Sequence, residues 1–268
     1  MWMIKHYVKK LIDNRIYIAT YWPNVLKWCS EDMLEYELTN NIIALPIDQR
    51  YGREEMDYII KTFSLMGNSI FLRGFEIEDA LLINKWRNDF EIQKLVSTSF
   101  KYVSLEIEKE WVKSKMMDNR KDIYLAICLN DDSRKMVGYV SVNNIDYLNR
   151  TAVGGGIVID PLYQDGIIRY EVGMLIRELV FNHLNINRYE GKCLSEHIAS
   201  RVIMEASGYK LEGIYREAIY KDGKYHDQCV YSLLRADYEE WMERGDYSLS
   251  VFAKKVRHLR NSYAASRL

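Results

Sequence analysis

The sequence predicts an α/β (α+β) chain: a strand-and-helix domain preceded by a small α+β subdomain and followed by a helical tail. Three observations carry this. After residue 69, short apolar strand patterns alternate with segments whose apolar residues recur at helical spacing. The small polar stretch Leu65-Met66-Gly67-Asn68-Ser69 separates two differently patterned regions. From Tyr238 onward the pattern is helical only. These breaks set expected boundaries at 1–66, 69–241 and 242–268.

In the first piece, Ile4 to Ile12 and Glu54 to Phe63 have helical spacing, and Ile16 to Thr20 and Ile42 to Pro46 have strand character. About 65 residues make only a marginal independent fold. In the second piece, Ile70-Phe71-Leu72-Arg73 opens as a strand. Glu78 to Asn88 and Ile107 to Met117 follow as helices. Tyr124 to Leu129, Met136 to Asn143 and Thr151 to Ile159 are successive strands, the first two joined by the Asn130-Asp131-Asp132-Ser133 turn. Ile168 to Leu184 is a long helix with an apolar stripe at Val172, Leu175, Ile176, Leu179 and Val180. Arg188 to Leu194 is a strand. His197 to Ala206 is a helix ended by Gly208. Tyr209 to Ala218 and His226 to Leu234 close the domain through the Lys221-Asp222-Gly223-Lys224 turn. The tail carries Lys254, Lys255, Arg257, Arg260 and Arg267, and reads as a solvated or packing face.

Composition narrows the function. The 268 residues are 48% hydrophobic and 28% charged, as in globular proteins, and the net charge of −1 gives no nucleic-acid signal. No apolar run approaches the roughly 20 residues that span a bilayer, and the first residues lack signal-peptide pattern. Cys29, Cys128, Cys193 and Cys229 are scattered, as are the five histidines. The expectation is a cytoplasmic protein with reduced thiols, no metal, and neither nucleic acid nor membrane as partner.

The segment Ile157-Val158-Ile159-Asp160-Pro161-Leu162-Tyr163-Gln164-Asp165-Gly166-Ile167-Ile168-Arg169 reads as a strand, a short loop and a helix start. That arrangement aims backbone N–H groups at an anion, above all a phosphate. An ordinary strand-to-helix turn is the competing reading. Just before it, Gly154-Gly155-Gly156 suggests a bulge or a backbone left open to a ligand.

The element order resembles the GCN5-related N-acetyltransferase (GNAT) family, in the branch of ribosomal-protein, spermidine and amino-sugar acetyltransferases. The stretches that carry it span about 69–241. They are Phe71-Leu72-Arg73 with Asp79, Lys85-Trp86-Arg87-Asn88-Asp89 with Glu91-Ile92, Val137 to Asp146, Gly208 to Gly213, and Tyr220 to Asp227. The resemblance implies a three-layer fold with a mixed, mostly antiparallel sheet, and acetyl-CoA as co-substrate. It assigns the coenzyme to the backbone of Ile157, Val158 and Ile159, to the loop Gln164, Asp165, Gly166, Ile167, Ile168 and Arg169, and to Ser200 and Met204. The loop departs from the family's Gln/Arg-x-x-Gly-x-Gly/Ala pattern. It has one glycine, and with Gly166 as the first glycine, Ile168 stands where the second belongs. Met204 stands where the family often has a proton-donating tyrosine. The carboxylate often found on the fourth strand is replaced by the glycine run.

His197, in Ser195-Glu196-His197-Ile198-Ala199-Ser200, is the expected base or coenzyme contact, since imidazole titrates near neutrality. Glu91, Asn143 and Asn144 are candidates for the acceptor end, and Tyr220, Tyr225 and His226 for a cap over it. Structural turn and edge roles compete for each.

The first piece has a separate likeness. Asn14-Arg15-Ile16-Tyr17, Tyr21-Trp22-Pro23, Leu45 to Tyr51 and Met56 to Ile60 resemble the C-terminal subdomain of sugar aminotransferases that use pyridoxal phosphate (PLP). The part of that family bearing the cofactor lysine is not in this chain, so no PLP is expected. Together the likenesses imply N-acetylation of an amino sugar, nucleotide-linked, in surface-glycan synthesis, through a ternary complex. The alternatives are acetylation of a protein N-terminus or polyamine, and a non-catalytic coenzyme-binding or assembly module. A homodimer is compatible with each.

Overall fold

The structure is a computed structural model that describes residues 25–28, 30, 65, 67–94, 96–97, 100–164 and 166–265. The chain divides into two compact units, Met1–Met66 and Gly67–Leu268. In the first, a helical turn spans Val25–Trp28. The helices and strands expected elsewhere in that unit lie outside the described residues.

In the second unit, the elements are β1 (Ile70–Gly74), α1 (Ala80–Arg87), α2 (Phe90–Gln93), α3 (Leu105–Met117), β2 (Ile123–Leu129), β3 (Met136–Asp146), β4 (Thr151–Ile159), α4 (Ile167–Glu178), β5 (Arg188–Leu194), α5 (Ile198–Ala206), β6 (Lys210–Lys221), β7 (Lys224–Leu234), α6 (Arg235–Glu243) and α7 (Leu249–Ala265). The sheet order is β1-β2-β3-β4-β5-β7-β6. Only β4 and β5 run parallel; every other neighbouring pair is antiparallel.

Local chemistry explains the boundaries. Arg73 donates to both carboxylate oxygens of Asp79 at 2.7 and 2.8 Å, and Asp79 also accepts from the Glu76 N–H, which fixes the turn from β1 into α1. Asp89 caps α2 and Ser104 caps α3 through side-chain oxygens. The β6–β7 turn is made by Asp222 and Gly223, both at positive φ, as a two-residue hairpin requires. The expected helix from Ile168 to Leu184 ends its α-helical part at Glu178 and widens into a π turn over Leu179–His183, which buries Val180 and Phe181 completely. The tail is two helices. It breaks at Gly245, whose φ of +70° ends α6.

The register gives the layers. Tyr139 of β3 meets Trp86 and Phe75, and Phe75 meets Trp111, so α1 and α3 cover that face. Asn143 shares the face and pairs with Val153 of β4. The neighbouring Ala152 therefore faces the other way, with its β5 partner Tyr189, which packs on Phe181 at the end of the α4 turn. On that second face Met204 of α5 packs with Tyr209 on Cys193, Cys229 and Tyr231. Cys128, Cys193 and Cys229 are buried free thiols. Among the described residues, no helix is long and apolar enough to cross a membrane.

Candidate active site

The site begins where β4 and β5 part. They pair only from Thr151 to Val153 with Arg188 to Glu190. Beyond that, β4 keeps β3 and β5 keeps β7, so the facing edges of Gly154–Ile159 and Gly191–Leu194 are open to one another. Unpaired strand edges carry unsatisfied N–H and C=O groups, which an extended ligand can use.

The glycine run sits at the opening and makes a bulge. Val142 pairs with Gly154 while Val140 pairs with Ile157, leaving one extra residue on β4. Gly156 has φ of +99°, a conformation a side chain would strain. A Cβ on Gly155 would overlap the side chains of Ser141 and Asn143, and one on Gly154 would lie 2.9 Å from the Tyr189 hydroxyl.

At the far end of β4, Asp160 caps a single 3-10 turn over Pro161–Tyr163 and accepts from the Trp86 indole at 3.0 Å. Gln164 donates to the Ile159 carbonyl at 2.9 Å, so its side chain holds the strand end. Gly166, at φ of +86°, leads into α4. Asp165 lies outside the described residues. Ile168 points into the core at 4% exposure, so its bulk is turned away from the loop. Arg169 comes next, and its Nε is buried with no acceptor among the described residues. Burial holds its pKa below the ordinary arginine value.

His197 stands beside Arg169. Burial, and then the Arg169 charge, push its pKa down, so the ring is neutral at pH 7. His197 caps α5, with Nδ1 accepting from the Ser200 N–H at 3.5 Å. With Nδ1 accepting, the proton of the neutral ring is on Nε2, which makes the ring a donor. Ile157 to Ile159, Gln164, Gly166 to Arg169 and His197 to Ser200 thus belong to the strand and helix ends next to the open edges. Met204 faces β5 instead, where its sulfur lies against Gly191 within the Cys193–Cys229–Tyr231 cluster.

The acceptor candidates divide. Asn143 lies against Gly155, with its Oδ1 buried and without a donor. Asn144 occupies a second bulge at φ of +51°, exposed, its N–H on Asp122, and so is separate from Asn143's contacts. Glu91 is exposed and 3.8 Å from Lys94. Tyr220 and Tyr225 are cross-strand partners with ring centroids 5.1 Å apart. Near them, Lys221 Nζ donates to the carbonyls of Gln93, Lys94 and Val96 at 2.6, 3.1 and 2.6 Å. This clasps the hairpin tip to the end of α2. His226 bonds the Lys221 carbonyl through Nε2 and the Glu196 carboxylate through Nδ1. The same hairpin is thereby tied to the residue before His197.

A GNAT acetyltransferase domain model matches residues 69–210, more than half of the chain. The chain belongs to the GNAT acetyltransferase family. This GNAT chain is 24% identical over 172 residues to the uncharacterized N-acetyltransferase YnaD of Bacillus subtilis, covering 64% of this chain and 95% of that one. Its fold matches a spermidine N-acetyltransferase from Vibrio cholerae solved with coenzyme A and spermine, at 20% identity, TM-score 0.59, and 65% and 99% coverage. It also matches the microcin C7 self-immunity acetyltransferase MccE, solved with acetyl-CoA and AMP, at 25% identity, TM-score 0.54, and 63% and 93% coverage.

Sequence reading of this GNAT domain missed Lys221 as a clasp and Glu196 as the partner of His226. Lys221 was visible only as a turn residue, since its acceptors lie more than 120 positions away. A lysine at the end of an otherwise exposed hairpin was the only signal.

Proposed function

We propose that this GNAT enzyme transfers the acetyl group of acetyl-CoA to the amine of a nucleotide-linked amino sugar, in a ternary complex, in surface-glycan synthesis. The observation that carries the donor assignment is Arg169. Arg169 is in the first turn of α4, its charge acts on His197, and its Nε is buried with no acceptor among the described residues. A diphosphate would supply acceptors to a guanidinium in that position, and the helix N-terminus would add further N–H groups and a favourable dipole. Arg169 would take the place of the second glycine contact that the loop lacks.

Acetyl-CoA supplies the reactive thioester. The chain's own residues do the rest. The open edge at Ile157 and Val158 holds the pantetheine amides, and main-chain N–H groups at the Gly155–Gly156 bulge polarise a carbonyl placed there. His197 donates from Nε2 rather than acting as base. Positioning lowers the barrier for an amine that is already neutral. A sugar amine is less basic than a lysine or polyamine amine, so more of it is neutral at pH 7 and a water chain suffices to remove its proton.

Two features support the acceptor. The first 66 residues resemble part of a sugar aminotransferase, whose product is such an amine. A polyamine would call for unpaired carboxylates at the acceptor end, and of the candidates Glu196 is bonded to His226 while Glu91 lies 3.8 Å from Lys94. The free thiols Cys128, Cys193 and Cys229 suit a cytoplasmic enzyme.

The test is coenzyme A release with nucleotide-linked and free amino sugars, polyamines and peptides. Fastest release with a nucleotide-linked amino sugar is expected. Release with polyamines or peptides alone overturns the acceptor assignment.

A further inference from the structure

A second arginine of α4 is buried without a counter-charge, away from the loop. Arg177 is 4% exposed. Its guanidinium lies 4.8 Å from the ring centre of Trp241 on α6, itself 4% exposed. Nη2 reaches only the Met174 sulfur, a weak acceptor, at 3.2 Å. Nε has no acceptor, and neither has the buried indole Nε1 of Trp241. Among the described residues, the titratable groups acting most strongly on Arg177 are the hydroxyls of Tyr209, Tyr238, Tyr170 and Tyr189, and beyond these the carboxylates of Glu178 and Glu171 act on Tyr238 and Tyr170. Burial raises the pKa of all four, so they stay neutral.

A buried cation without a partner is strongly disfavoured, and a buried N–H donor without an acceptor adds to that cost. Here the Arg177 Nε and the Trp241 indole N–H lie on neighbouring buried side chains without an acceptor among the described residues, and the tyrosines around the guanidinium are neutral. One positive charge calls for one negative charge. Enclosure by Tyr189, Tyr238 and Trp241, each no more than 5% exposed, limits the ligand to a small ion. We propose that Arg177 and Trp241 form an internal site for a monovalent anion of the halide class. The site adjoins the cleft through Tyr189, whose hydroxyl abuts Gly154 where β4 and β5 part. It stands independently of the donor and acceptor assignments.

The test is thermal unfolding of the full chain in sodium gluconate, with bromide replacing gluconate at constant ionic strength. The unfolding temperature should rise by several degrees and saturate. Arg177→Met should fold and lose this response, because it removes the charge that needs the ion. Trp241→Phe keeps the ring and removes the donor, so half-saturation should move up by about tenfold. Crystals grown in bromide should show anomalous scattering beside the Arg177 guanidinium. A wild-type unfolding temperature indifferent to bromide, an unchanged response in both variants, or ordered water alone at the guanidinium overturns the proposal.

Discussion

Tyr189 reaches from β5 to Gly154 of β4, its hydroxyl 2.9 Å from where a Cβ on residue 154 would lie. This contact sits one step past the last β4–β5 pair, Val153 with Glu190. Gly154→Ala must move a ring that is 5% exposed and has little room to give. Acetyl transfer should fall by about tenfold or more, since the cleft opens at this point. Gly154→Ala combined with Tyr189→Phe should recover most of it. Steady-state rates of the three variants decide this, and a double variant no better than Gly154→Ala would contradict the contact's role.

The bulge residues should separate by mechanism. Gly155→Ala overlaps Ser141 and Asn143, while Gly156→Ala meets open space but holds φ at +99°. Strain of that kind costs about 1–3 kcal/mol. Denaturant unfolding should therefore show a modest loss for Gly156→Ala and a larger one for Gly155→Ala, the order reversing if backbone strain rather than crowding sets the bulge.

Much of this fold was legible because the strand and turn signals are local. The glycine run predicted a bulge or an open backbone, and the register shows the bulge. Thr151–Ile159 and Arg188–Leu194 follow from apolar pattern and flanking polar turns, and the structure has those bounds. Long-range pairings were not legible. Arg177 lies beside Ile176 on the helix, so spacing alone gives no sign that Trp241, 64 positions on, covers it. The sequence assigns Arg169 to the coenzyme only by resemblance, because the buried Nε without an acceptor is a property of packing. The tail read as a solvated or packing face, and the packing alternative agrees with the contacts: Tyr263 of α7 bonds Glu205 and stacks with Arg201 on α5.

Lys221 should matter to the acceptor more than to the donor. Lys221→Met removes the donor that three carbonyls share, of which Gln93 keeps the Val96 N–H, and frees the hairpin tip from the end of α2. The expected cost is about 2 kcal/mol or more of stability. The acceptor KM should rise several-fold with acetyl-CoA affinity little changed. Equal losses for both substrates would assign Lys221 a general structural role.

The pH dependence follows from His197. Its folded pKa is depressed, first by burial and then by Arg169, so the unfolded chain takes up the proton at higher pH. The neutral ring's contribution to stability is thus present above about pH 6.5 and lost as pH falls through the lower folded value. Unfolding temperature should drop between pH 7 and 5. The His197→Asn protein should show a shallower drop, and an identical profile would remove His197 as its source.

The proposed donor site depends most on Arg169 holding the diphosphate of acetyl-CoA. Calorimetric titration of acetyl-CoA into the wild type and Arg169→Gln measures this directly. Binding to the wild type with about tenfold weaker binding to the variant is the predicted result. Equal affinities, or no binding to the wild type, would contradict it.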